Sequence, residues 1–169
     1  MVEAGVPAGV VNIVTGYGHE IGQALAEHQD VAKVTFTGST ATGRKILAAA
    51  QGNLKKVGLE LGGKSPVIVM DDADLDLAIP GVANAVFFNG GQVCVAGTRL
   101  YVHDKIADQL FAGIKDIAES MTLGHGLNPA TQMGPVINQA QAEKINGFIE
   151  GGIKPVSYTH LTLPTTPYV

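Results

Sequence analysis

The 169-residue chain has one cysteine, Cys94, in a glycine-rich run, Phe88-Asn89-Gly90-Gly91-Gln92-Val93-Cys94-Val95-Ala96-Gly97-Thr98-Arg99. Upstream, Leu59-Glu60-Leu61-Gly62-Gly63-Lys64-Ser65-Pro66 sets a carboxylate among leucines and glycines. A sulfur nucleophile and a carboxylate in semi-apolar surroundings can share covalent catalysis, the thiolate attacking and the carboxylate moving protons. Each residue also has a plainer reading. A lone cysteine can be a small buried hydrophobe, and Glu60 can pair with Lys64 or another nearby lysine. The catalytic reading requires surroundings that favour the thiolate and a partly desolvated carboxylate. Gly90-Gly91 would let a substrate oxygen approach the Cys94 N–H, one donor of an oxyanion hole. A cysteine hydrolase would need a histidine partner, and neither His103 nor His125 sits in a motif.

The elements that must hold these residues alternate between strand and helix. Val10 to Val14 reads as a strand that runs into Thr15-Gly16-Tyr17-Gly18 and a helix from Glu20 to His28. Val31 to Thr37 predicts a strand, Gly38-Ser39-Thr40 a turn, and Ala41 to Ala50 an alanine-rich helix. Lys55 to Leu61 and Val67 to Met70 are further strands. Leu75 to Asn89 is a helix whose early part Pro80 would make a separate turn or a kink. After a short strand at Leu100 to Val102, Asp104 is the expected N-cap of a helix with Ile106, Leu110, Ile114 and Ile117 along one stripe. A Gly/Pro/Asn loop from Gly124 to Pro135 and a helix from Gln139 to Ile149 complete the pattern. Such alternation predicts an α/β fold with parallel strands, whose ligands bind at the strands' carboxyl ends. The glycine-bearing turns at Gly16-x-Gly18-x-x-x-Gly22 and Gly38-Ser39 fall there. The first is one residue longer than the usual dinucleotide fingerprint. The second offers a helix N-terminus and a hydroxyl suited to a pyrophosphate, or a plain serine cap.

Composition narrows the classes. Hydrophobic residues at 46% and charged residues at 15% supply a core and exclude a disordered chain. A net charge of −4 without a basic run argues against a nucleic-acid surface. One cysteine allows no intrachain disulfide, and dispersed histidines offer no metal site. No apolar stretch reaches membrane-spanning length and no signal-peptide pattern opens the chain, so a cytoplasmic protein is expected.

The glutamate and cysteine segments, 34 positions apart, resemble the signatures of the NAD(P)-dependent aldehyde dehydrogenases. Phe36-Thr37-Gly38-Ser39-Thr40 resembles that family's phosphate-contacting turn. Gly5-Val6-Pro7-Ala8-Gly9-Val10-Val11-Asn12 and Met133-Gly134-Pro135-Val136-Ile137 resemble flanking family segments. The likeness spans roughly residues 2 to 154. The cysteine region together with Leu123-Gly124-His125-Gly126-Leu127 resembles phenylacetaldehyde-type members.

The resemblance implies a partial Rossmann-like cofactor-binding domain over residues 1–62 and the first part of an α/β catalytic domain over 63–154. It implies Cys94 as nucleophile, Glu60 as general base, and NAD or NADP held by Gly18, Gly22, Gly38, Ser39, Leu61 and Gly62. The parent would oxidise a small-molecule aldehyde to a carboxylate and assemble as a homodimer or homotetramer. The oxyanion-hole asparagine and both ribose-gripping segments are expected to lie outside the chain, which would then be a fragment. Residues 155–169 depart from the family pattern, and from about Val156 they read like a sequencing adapter translated in frame. Two other readings stay open: a non-catalytic piece with exposed sheet edges and apolar faces, and a cofactor-independent thiol esterase.

Overall fold

The computed structural model describes residues 3–153. The expected tail at 155–169 lies outside the described residues. Two compact units divide between Lys64 and Ser65. Each is built on a parallel strand pair joined through a helix, and the fold is α/β.

In the first unit a π-helical turn, Gly18–Gly22, leads into α1 (Gln23–Glu27). Then come β1 (Lys33–Gly38), α2 (Thr40–Ala49), a 3-10 turn at Ala50–Asn53, and β2 (Lys56–Leu61). The strands pair in parallel from Lys33↔Lys56 to Gly38↔Leu61. Ala26, Ile46 and Ala50 are buried. A Cβ added to Gly43 of α2 would lie 2.8 Å from a Leu61 methyl and 3.6 Å from one of Leu59. The odd positions of β2 therefore pack on α2, and alternation turns Glu60 to the opposite face.

The second unit runs β3 (Pro66–Val69), α3 (Leu75–Phe87), a 3-10 turn at Phe88–Gly91, β4 (Arg99–Val102), α4 (Asp104–Ser120) and α5 (Gln139–Ile153). β3 and β4 pair in parallel from Pro66↔Arg99 to Val69↔Val102. Val69, Val82 and Leu110 form its core, with Val67, Ile79, Leu100, Ile106 and Ile114 packed around them. Ile106, Leu110 and Ile114 of the expected α4 stripe serve this core. Among the described residues no helix is long and apolar enough to cross a membrane.

Three expectations are corrected. Val10 to Val14 forms no strand: the ladder needs a neighbour, no described segment pairs with it, and Ile13 is 81% exposed. The glycine turn at Gly18–Gly22 accordingly follows irregular chain rather than a strand end. Pro80 does not split its helix. It sits inside continuous α3, which gives up one hydrogen bond but is capped by Asp74 (Asp76 N–H to Oδ1, 3.0 Å) and buries Val82 and Ala83. Finally, His103 rather than Asp104 caps α4, its Nδ1 accepting from the Lys105 N–H at 3.3 Å. Asp104 is the first helical residue, where its charge favours the helix dipole.

Candidate functional site

Register brings together the candidate residues of the first unit. β1 and β2 end level, with Thr37 opposite Glu60 and Gly38 opposite Leu61. Neighbouring strands lie about 4.8 Å apart, so the Gly38–Ser39 turn and the Glu60–Leu61–Gly62 segment share one carboxyl edge. Glu60 is exposed there, on the face away from α2. A Cβ added at Gly38 would sit 2.5 Å from the Phe36 ring, whereas at Gly62 it would meet nothing within 4 Å.

Ser39 leaves β1 in an extended conformation and caps α2. Its Oγ accepts from the Thr42 N–H at 3.1 Å and lies 2.9 Å from the Thr42 hydroxyl, while its carbonyl accepts from the Gly43 N–H at 2.9 Å. The plain-cap reading of Ser39 is therefore correct as far as it goes. The first-turn N–H groups of Thr40 and Ala41 have no acceptor within the helix and point out of its N-terminus. A strand-to-helix turn of this kind suits an anionic phosphate. Gly18 and Gly22 lie in the π-helical turn before α1, and a Cβ at either would meet nothing within 4 Å. Nothing in the described structure crowds these two glycines.

Cys94 is held by a different device, in the second unit. After α3 the chain turns through three residues with positive φ: Asn89 at 52°, Gly90 at 63° and Gly91 at 74°. The side chains of Asn89 and Gln92 tie the turn, Nδ2 of Asn89 donating to the Gln92 carbonyl at 3.3 Å and Nε2 of Gln92 to the Asn89 carbonyl at 3.2 Å. The Ala96 N–H then donates to the Val93 carbonyl at 3.1 Å, which puts Cys94 and Val95 at the corner of a tight turn. Cys94 is a free, exposed thiol in the described structure.

Gly97 anchors the far side of that turn. It is buried, and its N–H donates to the Ala85 carbonyl at 2.9 Å. A Cβ there would lie 2.5 Å from a Val67 methyl and 3.2 Å from the Ala85 Cβ. A cleft of about 370 Å³ adjoins the turn, between Phe87, Asn89 and Gln92 on one side and Met133, Gly134 and Pro135 on the other; Cys94 does not line it. The importance of Asn89 and Gly97 escaped the sequence reading, although the Asn-Gly-Gly triplet is a left-handed turn signal.

The first unit thus carries a strand-to-helix turn and a glutamate on one strand edge, and the second an exposed cysteine on a loop with left-handed residues. The aldehyde dehydrogenase family model matches residues 1–157, and the chain belongs to that family. It is 50% identical over 152 residues to the phenylacetaldehyde dehydrogenase of Pseudomonas fluorescens, covering 90% of this chain and 30% of that protein. With the betaine aldehyde dehydrogenase of Bacillus subtilis it shares 49% identity over 154 residues, 91% of this chain and 31% of the relative. Among solved structures, PnpE in complex with nicotinamide adenine dinucleotide superposes with a TM-score of 0.86 at 49% identity, covering 90% of this chain and 31% of that one. The chain thus spans about 30% of the length of the relatives it matches.

Proposed function

We propose that this chain supplies the nucleophile, the general base and part of the cofactor site of an NAD(P)-dependent aldehyde dehydrogenase. The supporting observation is the shared carboxyl edge of β1 and β2, where Glu60 comes level with the Gly38–Ser39 turn. The residues up to Lys64 are the cofactor-binding piece, and those from Ser65 begin the catalytic piece. The Thr40 and Ala41 N–H groups, with the Ser39 hydroxyl, would hold the cofactor pyrophosphate. Leu61 and Gly62 would face its nicotinamide end, and Gly18 and Gly22 would leave open space beside it. When bound, the cofactor accepts a hydride.

The chain's own residues account for the remaining steps. Cys94 Sγ bonds to the aldehyde carbon to give a thiohemiacetal, and a turn N–H steadies the developing oxyanion. Loss of hydride from that carbon leaves a thioester on Sγ. Glu60 takes a proton from water, the resulting hydroxide attacks the thioester carbon, and the C–S bond breaks to release the thiolate and a carboxylic acid, which ionises to carboxylate as Glu60 returns its proton to solvent. The sulfur must be reachable for the first step, and Cys94 is exposed.

The substrate is an aldehyde. Relatives named for phenylacetaldehyde and for betaine aldehyde match at 50% and 49% identity, so this segment does not separate an aromatic from a cationic substrate.

The test is single-turnover kinetics in the complete enzyme that carries this segment. Cys94→Ser should abolish aldehyde-dependent reduction of NAD(P)+ by roughly a thousandfold or more. Glu60→Gln should keep the first hydride burst and slow turnover about 10²- to 10⁴-fold, with acylated Cys94 accumulating. Undiminished turnover in either variant would refute that residue's assignment. Ester hydrolysis indifferent to cofactor, with no aldehyde oxidation, would favour the esterase reading.

A further inference from the structure

Lys55 is the one charged residue among the buried polar residues of the described chain, at 8% exposure, and the proposed chemistry does not use it. Its Nζ donates to the His28 carbonyl at 2.7 Å and reaches the Leu25 carbonyl at 3.5 Å. Both acceptors belong to the C-terminal turn of α1, where carbonyls lack intrahelical partners and a positive charge is favoured. Two residues earlier, Asn53 Nδ2 donates to the Gln29 carbonyl at 2.6 Å and the Val31 carbonyl at 3.1 Å. Two carbonyl acceptors admit only the amide nitrogen, so chemistry fixes the orientation of this carboxamide. Its Oδ1 is buried with no protein partner.

Between the two lies Leu54, 88% exposed and left-handed at φ 54°. A leucine in that region is strained and persists only where its surroundings enforce it. Here it lets its two neighbours both reach carbonyls of residues 25 to 31. Immediately beyond, the Lys56 N–H donates to the Ala32 carbonyl at 3.0 Å, and the parallel ladder begins at Lys33↔Lys56.

We propose that Asn53 and Lys55 are positioning residues that fix the register of β1 against β2. Side chains alternate along a strand, so a one-residue slip would carry Glu60 onto the α2 face now filled by Leu59 and Leu61. Such a slip moves the strand by about 3.3 Å. It would draw the buried ammonium and carboxamide off their carbonyls, and unpaired buried polar groups are costly. The clamp stands at the amino ends of the strands and acts at their carboxyl ends, on the level of Glu60 with Ser39.

The register claim rests on these hydrogen bonds; its consequence for turnover rests on Glu60 as the base. The test is cross-linking, in the complete enzyme that carries this segment and in a Cys94→Ser background, with a short bifunctional thiol reagent, read on soluble protein by peptide mass spectrometry. Thr37→Cys with Glu60→Cys probes the native register, and Thr37→Cys with Leu61→Cys probes the slipped one. The native pair should be favoured at least fivefold. Lys55→Met or Asn53→Ala should cut that preference below twofold, and Lys55→Arg should restore it. Ile46→Ala, an equally buried loss in the core of the same unit, should lower stability and keep the preference. A preference unchanged in both clamp variants, or lost equally in Ile46→Ala, overturns the proposal. Neither result bears on Glu60→Gln turnover, so the two readings fail separately.

Discussion

Glu60 and Cys94 are held by opposite strategies. Glu60 sits within regular structure: its direction follows from strand alternation, and its level along the edge follows from six register pairs between Lys33↔Lys56 and Gly38↔Leu61. Cys94 sits at the corner of an irregular turn, entered through three left-handed residues and closed by Gly97 against α3. A proton-transfer group can tolerate some freedom because water bridges the gap to its target. A nucleophile must meet a carbon along a defined approach, so its backbone has to be set by close packing. Substitutions should therefore reach Cys94 through packing and Glu60 through register.

The largest expected effect outside the proposed nucleophile and base is in the core beneath the cysteine loop. Leu110 is fully buried and touches the cluster that seats α3 and α4 on β3 and β4. Leu110→Ala should destabilise this unit by about 2–5 kcal/mol. Urea unfolding followed by hydrogen exchange should show protection lost across α3 and α4. A loss below about 1 kcal/mol would mean that this core collapses onto the gap and does not hold the loop rigidly.

Gly97→Ala should be milder and more local. The added methyl meets a Val67 methyl and the Ala85 Cβ, both on short side chains with little room to yield. Overpacking of this kind costs about 1–3 kcal/mol. The turn should shift outward, and the rate of Cys94 alkylation by iodoacetamide should change by more than the global stability does. An unchanged rate in a destabilised variant would show that Gly97 serves folding and not the placement of sulfur.

The family membership and the strand-helix order were legible because their signals are local: a cysteine and a glutamate in glycine-rich runs, and β-branched segments between alanine-rich ones. What the sequence hid depends on partners far along the chain. Lys55 opens a strand segment and reads as a surface charge; its burial is decided by carbonyls 27 and 30 residues earlier. Gly97 reads as loop punctuation, and its need for a bare Cα comes from Val67 and Ala85. Val10 to Val14 failed in the reverse sense. β-branched residues express strand propensity only beside another strand, and the described chain offers them none. Pro80 carries a local helix penalty that burial of Val82 and Ala83 outweighs.

The smallest effect concerns a polar cluster at the carboxyl end of β3, where Asp71 meets the start of α4. The Lys105 ammonium lies 2.8 Å from Asp71 Oδ2, and the His103 ring lies 4.0 Å away. Lys105 first, and His103 second, hold the Asp71 carboxyl below the usual carboxylate range. Because the folded state favours the charged form, the contribution to stability is present above the unfolded-state value of about 3.9 and is lost as pH falls through the lower folded value. Lys105→Met should therefore lower the melting temperature near neutral pH by a small margin that closes as the pH drops below that range. The margin stays small because the lysine is largely solvated and screened by salt. A margin that persisted at low pH would show that Lys105 acts through the packing of its stem and not through its charge. That result would extend the packing control of the cysteine unit from the Gly97 turn to the start of α4.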